Sequence, residues 1–174
     1  LYESQGKYAE AEPLYQRALA IRERQLGPEH PDTAISLNNL AYLYGCQGRY
    51  TEAELLHQRA LAIRERQLGL EHPHTATSLN NLALVYVHQG KYTEAELLHQ
   101  RALTIRERQL GPVHPDTAIS LNNLAVLYRD QGKYTEAEVL IQQALALSER
   151  QLGSVHPHTA QSLDNLAVLY MHQG

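Results

Sequence analysis

The side chains of this 174-residue chain that could do chemistry are few, and they recur. His72-Pro73-His74 and His156-Pro157-His158 each offer a metal ion two imidazoles. Zinc asks for three or four ligands, and the same loop elsewhere carries Asp32 and Asp116, so no metal site is expected. Ser36, Ser78, Ser120 and Ser162 recur without a His–Asp pairing. Cys46 is the one cysteine of the sequence, which excludes an internal disulfide and a cysteine-based zinc site. The sequence holds no GxxxxGK phosphate loop, no GxSxG elbow, no HExxH and no dinucleotide fingerprint. It therefore reads as a non-enzyme with no catalytic residue and no cofactor. The residues that ask for an explanation are amides: Asn38-Asn39, Asn80-Asn81, Asn122-Asn123 and the variant Asp164-Asn165. Asn in a helix interior costs a few tenths of a kcal/mol or more against Ala. A side-chain amide also presents a donor and an acceptor together, which matches a peptide group.

These amides sit in a 42-residue period. Gly6, Gly48, Gly90, Gly132 and Gly174 keep that spacing, as do His30-Pro31, His72-Pro73, His114-Pro115 and His156-Pro157. A fixed period of this size marks a repeat architecture. Within residues 33–47, Ala34, Leu37, Leu40, Ala41 and Tyr44 recur at three- and four-residue steps, and Leu43 widens the apolar arc: this is helix A. Pro31 with Asp32 or Thr33 supplies its start, and Gly48 its stop. In the copies with His at the Asp position, Thr75 and Thr159 are expected to cap instead. Thr51-Glu52-Ala53-Glu54 has capping-box spacing and predicts the start of helix B, which runs to about Leu68 and stops at Gly69. In the first copy Ala9 replaces the Thr, so a weaker start is expected there. No segment alternates with period two. The short A–B turn predicts antiparallel hairpins that hide their apolar arcs by stacking. The expectation is an all-α solenoid of about nine helices in a right-handed superhelix. The chain is one array with repeats at about 1–32 (partial), 33–74, 75–116, 117–158 and 159–174 (partial). Its first residues match the middle of a helix A, which suggests a segment of a longer array.

Composition narrows the function classes. The net charge is −4, so no basic excess points to nucleic acid or to an anionic membrane. The longest apolar run, Leu82 to Val87, is far short of the ~18 residues a membrane helix needs. The lone cysteine fits a reducing, cytoplasmic setting.

The pattern Leu37, Leu40, Ala41, Tyr44, Gly48, Tyr50, Ala53, Ala60 and Leu61 resembles the tetratricopeptide repeat. The 42-residue period, LNNLA, the Y-x-EAE start, RAL-x-IRE and LG-xx-HP are similar to the repeats of kinesin light chains. Residues 49–90 and 91–132 agree at 32 of 42 positions, which looks more like a recently expanded array than differentiated repeats. The family often has an aromatic seven residues after the turn Tyr; here Tyr15 fits, but His57, His99 and Ile141 follow. The two histidines are expected to be buried and neutral. The resemblance implies a protein–protein interaction scaffold whose helix A face lines a concave groove for an extended segment or helix of a protein partner. On that basis Asn38, Asn80 and Asn122, with Asn39, Asn81, Asn123 and Asn165, are assigned to the peptide's backbone. The neighbouring stripe that varies between copies, including Tyr42 and Arg129, is assigned to its side chains. The alternative for the Asn row is that it ties neighbouring hairpins together. Arg59, Arg64, Glu65 and Arg66 are expected on a solvated face of helix B; where they border the groove they would favour acidic peptides, as in kinesin light chains. Two other roles are compatible with the residues: a sensor array of a larger signalling NTPase, and end-to-end self-association.

Overall fold

The computed structural model describes residues 7–173, which form eight helices and, among the described residues, no strand. They are α1 (Tyr8–Leu26), α2 (Pro31–Cys46), α3 (Tyr50–Leu68), α4 (Pro73–His88), α5 (Tyr92–Gln109), α6 (Pro115–Asp130), α7 (Tyr134–Leu152) and α8 (Pro157–Gln173). Even-numbered helices are copies of helix A and odd-numbered ones copies of helix B. The ninth helix expected over the first residues lies outside the described residues. The chain divides into two compact units, one ending at Gly90 and the other beginning at Lys91. Within each unit, consecutive helices pack on one another.

Each helix A opens in the same way, and not as expected. Proline takes the first helical position, where its missing N–H costs nothing. The cap is the histidine before it. Nδ1 of His30, His72, His114 and His156 accepts from the backbone N–H of Asp32, His74, Asp116 and His158, at 3.1–3.2 Å. An extended backbone (φ −78°, ψ 141° at His72) aims the ring back at that amide. Thr75 and Thr159 do not cap. Their hydroxyls, like those of Thr33 and Thr117, donate to the carbonyl of the glycine six residues earlier, at 2.8–3.0 Å, and close the loop. That glycine needs its freedom, since Gly69 sits at φ +100°.

The capping box of helix B is also corrected. The helices start one residue earlier, at Tyr50, Tyr92 and Tyr134, and the N-cap residues Arg49, Lys91 and Lys133 make no side-chain cap hydrogen bond. The glutamate that would close the box is engaged with the next hairpin instead. Glu12 accepts from Tyr44 Oη (3.1 Å) and from Arg49 (2.9 Å), Glu96 from Tyr128 Oη (3.1 Å) and Lys133 (3.3 Å), and Glu138 from Tyr170 Oη (3.0 Å). Glu54 accepts from Gln89 (2.9 Å). With no copy capped through Thr, the Ala9 difference has nothing to weaken. Arg49 holds the Glu12 carboxyl below the usual carboxylate range.

The core is built from small residues facing larger ones. In the first unit Ala34 and Leu37 of α2 meet Ala60 and Ile63 of α3, and nearer the turn Leu40, Ala41, Leu43 and Tyr44 gather with Ala53 and Val85. In the second, Ala125, Ala137, Ile141 and Leu169 form one cluster and Ala118, Leu121 and Ala144 another. The alanines are almost wholly buried, so helix backbones approach closely and a larger side chain would overpack them.

Candidate functional site

The two asparagines of each pair separate to different surfaces, because successive helix positions differ by about 100°. The first is buried: Asn38, Asn80 and Asn122 are 7, 3 and 7% exposed. Asn38 Nδ2 donates to Ser78 Oγ of the next helix A (3.5 Å), and Asn122 Nδ2 to Ser162 Oγ (2.8 Å). These amides tie neighbouring hairpins, the alternative role weighed for the Asn row. The second asparagine lies on the outer side: Asn39 is exposed, and Asn81, Asn123 and Asn165 are half-buried. Asn165 spends its amide locally, donating to Asn122 Oδ1 and accepting from Gln161, both at 3.3 Å.

The buried row continues into a polar network in the first unit. His57 Nδ1 lies 2.7 Å from Asn38 Oδ1. Arg64 donates to Ser78 Oγ and to the His74 carbonyl, both at 2.9 Å. Arg64 is therefore not on the solvated face expected of it, and neither is Arg106, which reaches Ser120 Oγ (3.0 Å) and the Asp116 carbonyl (2.8 Å). Burial lowers both guanidinium pKa values. The outer arginines do reach solvent: Arg59, half-buried, pairs with Glu23 (2.7 Å), and Arg66, exposed, with Glu29. His57 and His99 are buried, and desolvation pushes each imidazole down to about 4, so both are neutral at pH 7.

In the first unit the exposed stripe of α2 and α4 borders two cavities. A cavity of about 290 Å³ is lined by Ala41, Tyr42, Gly45, Cys46, Tyr50, His57, Asn81, Leu84, Val85 and His88. A second, of about 300 Å³, opens on the other side of Tyr42, against Tyr8, Ala11 and Tyr15 of α1. Tyr42 itself is 73% exposed, and its hydrogen bond with Cys46 raises its pKa. Tyr50 and His88 stack with ring centroids 5.0 Å apart and planes 8° from parallel. In the second unit the residues matching Gly45-Cys46 are Arg129-Asp130, which pair with each other at 2.7 Å. Arg129 therefore offers a compensated charge. A cavity of about 380 Å³ in that unit lies elsewhere, along α7 beside Pro112 and Val113.

Sequence reasoning named Tyr42, Asn81 and the varied stripe but missed Tyr8, Tyr50 and His57 as cavity walls. Among the described residues no group of three or more His, Cys, Asp or Glu could hold a metal ion, and no helix is long and apolar enough to cross a membrane.

The tetratricopeptide repeat family model matches residues 1–66, 39–108, 74–150 and 116–174. Among solved structures, BtubC (BKLC) from P. vanneervenii superposes with a TM-score of 0.81 at 31% identity, over 99% of this chain and 68% of that one. A kinesin light chain-like protein of P. anserina with nearly identical tetratricopeptide-like repeats gives 0.77 at 32% identity, over 99% and 82% of the two chains. The tetratricopeptide repeat domain of Sgt2 from Aspergillus fumigatus shares the fold, with a TM-score of 0.57 at 18% identity over 79% and 77%. A search of curated protein sequences finds no significant match.

Proposed function

Because the chain belongs to the tetratricopeptide repeat family, with the kinesin light chain-like arrangement of its repeats, we propose that it is a non-enzymatic scaffold that binds an extended segment of a partner protein along the exposed helix A face. Tetratricopeptide repeats are generally protein–protein interaction scaffolds, and that much follows from membership. The observation that carries the finer reading is the pair of cavities flanking Tyr42, whose walls include residues that differ from copy to copy. A segment laid across α2 and α4 would meet Asn39 and Asn81 as partners for its peptide groups. Tyr42, Leu84 and His88 would meet its side chains. In the second unit Asn123, Asn165, Val126, Val168 and His172 hold the matching positions, and Arg129 takes the place of Gly45. Asn38, Asn80 and Asn122 support the surface from beneath without reaching it.

The nearby charges are compensated, Arg129 by Asp130 and Arg59 by Glu23, so affinity should come from apolar contact more than from ionic attraction. The test is fluorescence polarisation of a peptide panel, random plus acidic-aromatic, at low and moderate salt. The wild-type chain is compared with Asn39→Ala/Asn81→Ala and with Tyr42→Ala. Selective binding that both variants lose, with the helical circular dichroism unchanged, is the expected result. Peptides that bind all three proteins equally, or none, would remove the helix A face from consideration.

A further inference from the structure

We propose that the cavity between α2, α3 and α4 takes an aromatic ring bearing a single N–H or O–H donor, and that His57 Nε2 is the acceptor that selects it. This rests on the reading of the helix A face as the binding surface, since the ring would be carried by the bound segment.

The tautomer of His57 is set from behind. Asn38 turns its Nδ2 toward Ser78 Oγ, which leaves Oδ1 facing the ring at 2.7 Å. An oxygen at that distance requires the hydrogen on His57 Nδ1, so Nε2 carries a bare lone pair. The amide orientation repeats in the second unit, where the Ser162 hydroxyl donates to the His158 carbonyl (3.2 Å) and accepts from Asn122. His57 is 3% exposed and lines the cavity, and Nε2 has no hydrogen-bond partner among the described residues. Burial holds the imidazole neutral, so the lone pair persists at neutral pH. A buried acceptor in an apolar cavity favours a ligand that brings one donor and leaves no other polar group unsatisfied.

Size and walls narrow the class further. An apolar cavity of about 150 Å³ admits benzene, so about 290 Å³ accommodates a phenol or an indole. Tyr42 and the stacked Tyr50–His88 pair supply aromatic surface for offset or edge contacts.

The test uses p-cresol as the donor-bearing probe and 4-methylanisole as its methylated counterpart, titrated into the full chain by isothermal calorimetry. The wild-type chain should bind p-cresol at least about tenfold more tightly, a difference of about 1.4 kcal/mol. His57→Ile should bring the two ligands to within about threefold. This variant has a precedent in the molecule, because Ile141 fills the matching place in the second unit at 1% exposure. In the wild-type protein the ¹⁵N resonance of His57 Nε2 should move on adding p-cresol and stay still with 4-methylanisole; this readout needs no variant to fold. Equal binding of the two ligands, a preference that survives His57→Ile, or a silent Nε2 resonance would each overturn the assignment. Competition separates the two readings. If p-cresol binds with the donor preference and no peptide displaces it, the peptide surface fails and the cavity stands as a site for free aromatic molecules. If peptides bind without any donor preference, the role of His57 fails alone.

Discussion

The polar seam under helix A is built twice, once in each unit, from the same positions but different residues. In the first unit, Asn38 accepts from His57 and donates to Ser78, and Arg64 donates to Ser78 and to the His74 carbonyl. In the second, Ile141 stands for the histidine and Ser148 for the arginine. There Asn122 accepts from Asn165 instead, the Ser162 hydroxyl takes over the His158 carbonyl, and Ser148 Oγ is buried with no partner among the described residues. The asparagine and the serine suffice to connect two hairpins, since both units keep them. A histidine and an arginine from the intervening helix B deepen that connection at α3 and not at α7. At α3 the histidine places an acceptor in the wall of a cavity; at the matching place on α7 isoleucine packs apolar against Ala125, Ala137 and Leu169.

Three perturbations would break or sharpen that contrast. The largest concerns apolar burial at one repeat position. Leu37 is fully buried in the first unit, while Leu163 in the second is 46% exposed. Leu37→Ala should cost roughly 2–5 kcal/mol and Leu163→Ala under about 1, read from urea unfolding. Equal costs would mean that burial does not set the contribution of leucine at this repeat position.

The arginine comes next. Arg64→Ala removes two hydrogen bonds from a charged donor and should cost about 2–3 kcal/mol. The reverse change, Ser148→Arg, gives α7 the group that Arg64 of α3 uses to reach Ser78 Oγ and the His74 carbonyl. A gain of up to about 1 kcal/mol is expected, measured as a higher urea midpoint. A loss would mean that the second unit has closed around its serine.

Acid should separate the copies last. The folded pKa of His57 and His99 is about 4, against about 6.5 for an unfolded histidine. Above pH 6.5 neither state holds the extra proton, so their contribution is flat. Between 6.5 and 4 the unfolded chain takes up protons that the folded chain refuses, and stability falls. From pH 7 to 5 the loss is about 2 kcal/mol per histidine. His57→Ile/His99→Ile, which copies the residue at position 141, should unfold with a flatter pH profile over that range. An unchanged slope would show that these two rings are not the groups that sense acid.

The sequence by itself determined the repeat, the all-helical class, the two helices of each copy and most of their ends. Leucine and alanine at helical spacing, proline at each helix A start and glycine after each helix B act through local geometry, and local geometry is legible in one dimension. The identity of the caps was not legible. Threonine and aspartate are the usual caps, but the ring of His72 wins because the Gly69 turn, closed by Thr75, brings its Nδ1 to the His74 amide. The Glu of the apparent capping box could not be placed either, because its partners Tyr44 and Arg49 lie 32 and 37 residues from Glu12. The division of each Asn pair into a buried and an outward member also waited for the tertiary structure. A helical wheel gives the angle between two residues, but only a neighbouring hairpin decides which angle faces protein. Packing alone brings Asn38 between His57 and Ser78, opens the cavity at His57 and leaves Tyr42 on its rim.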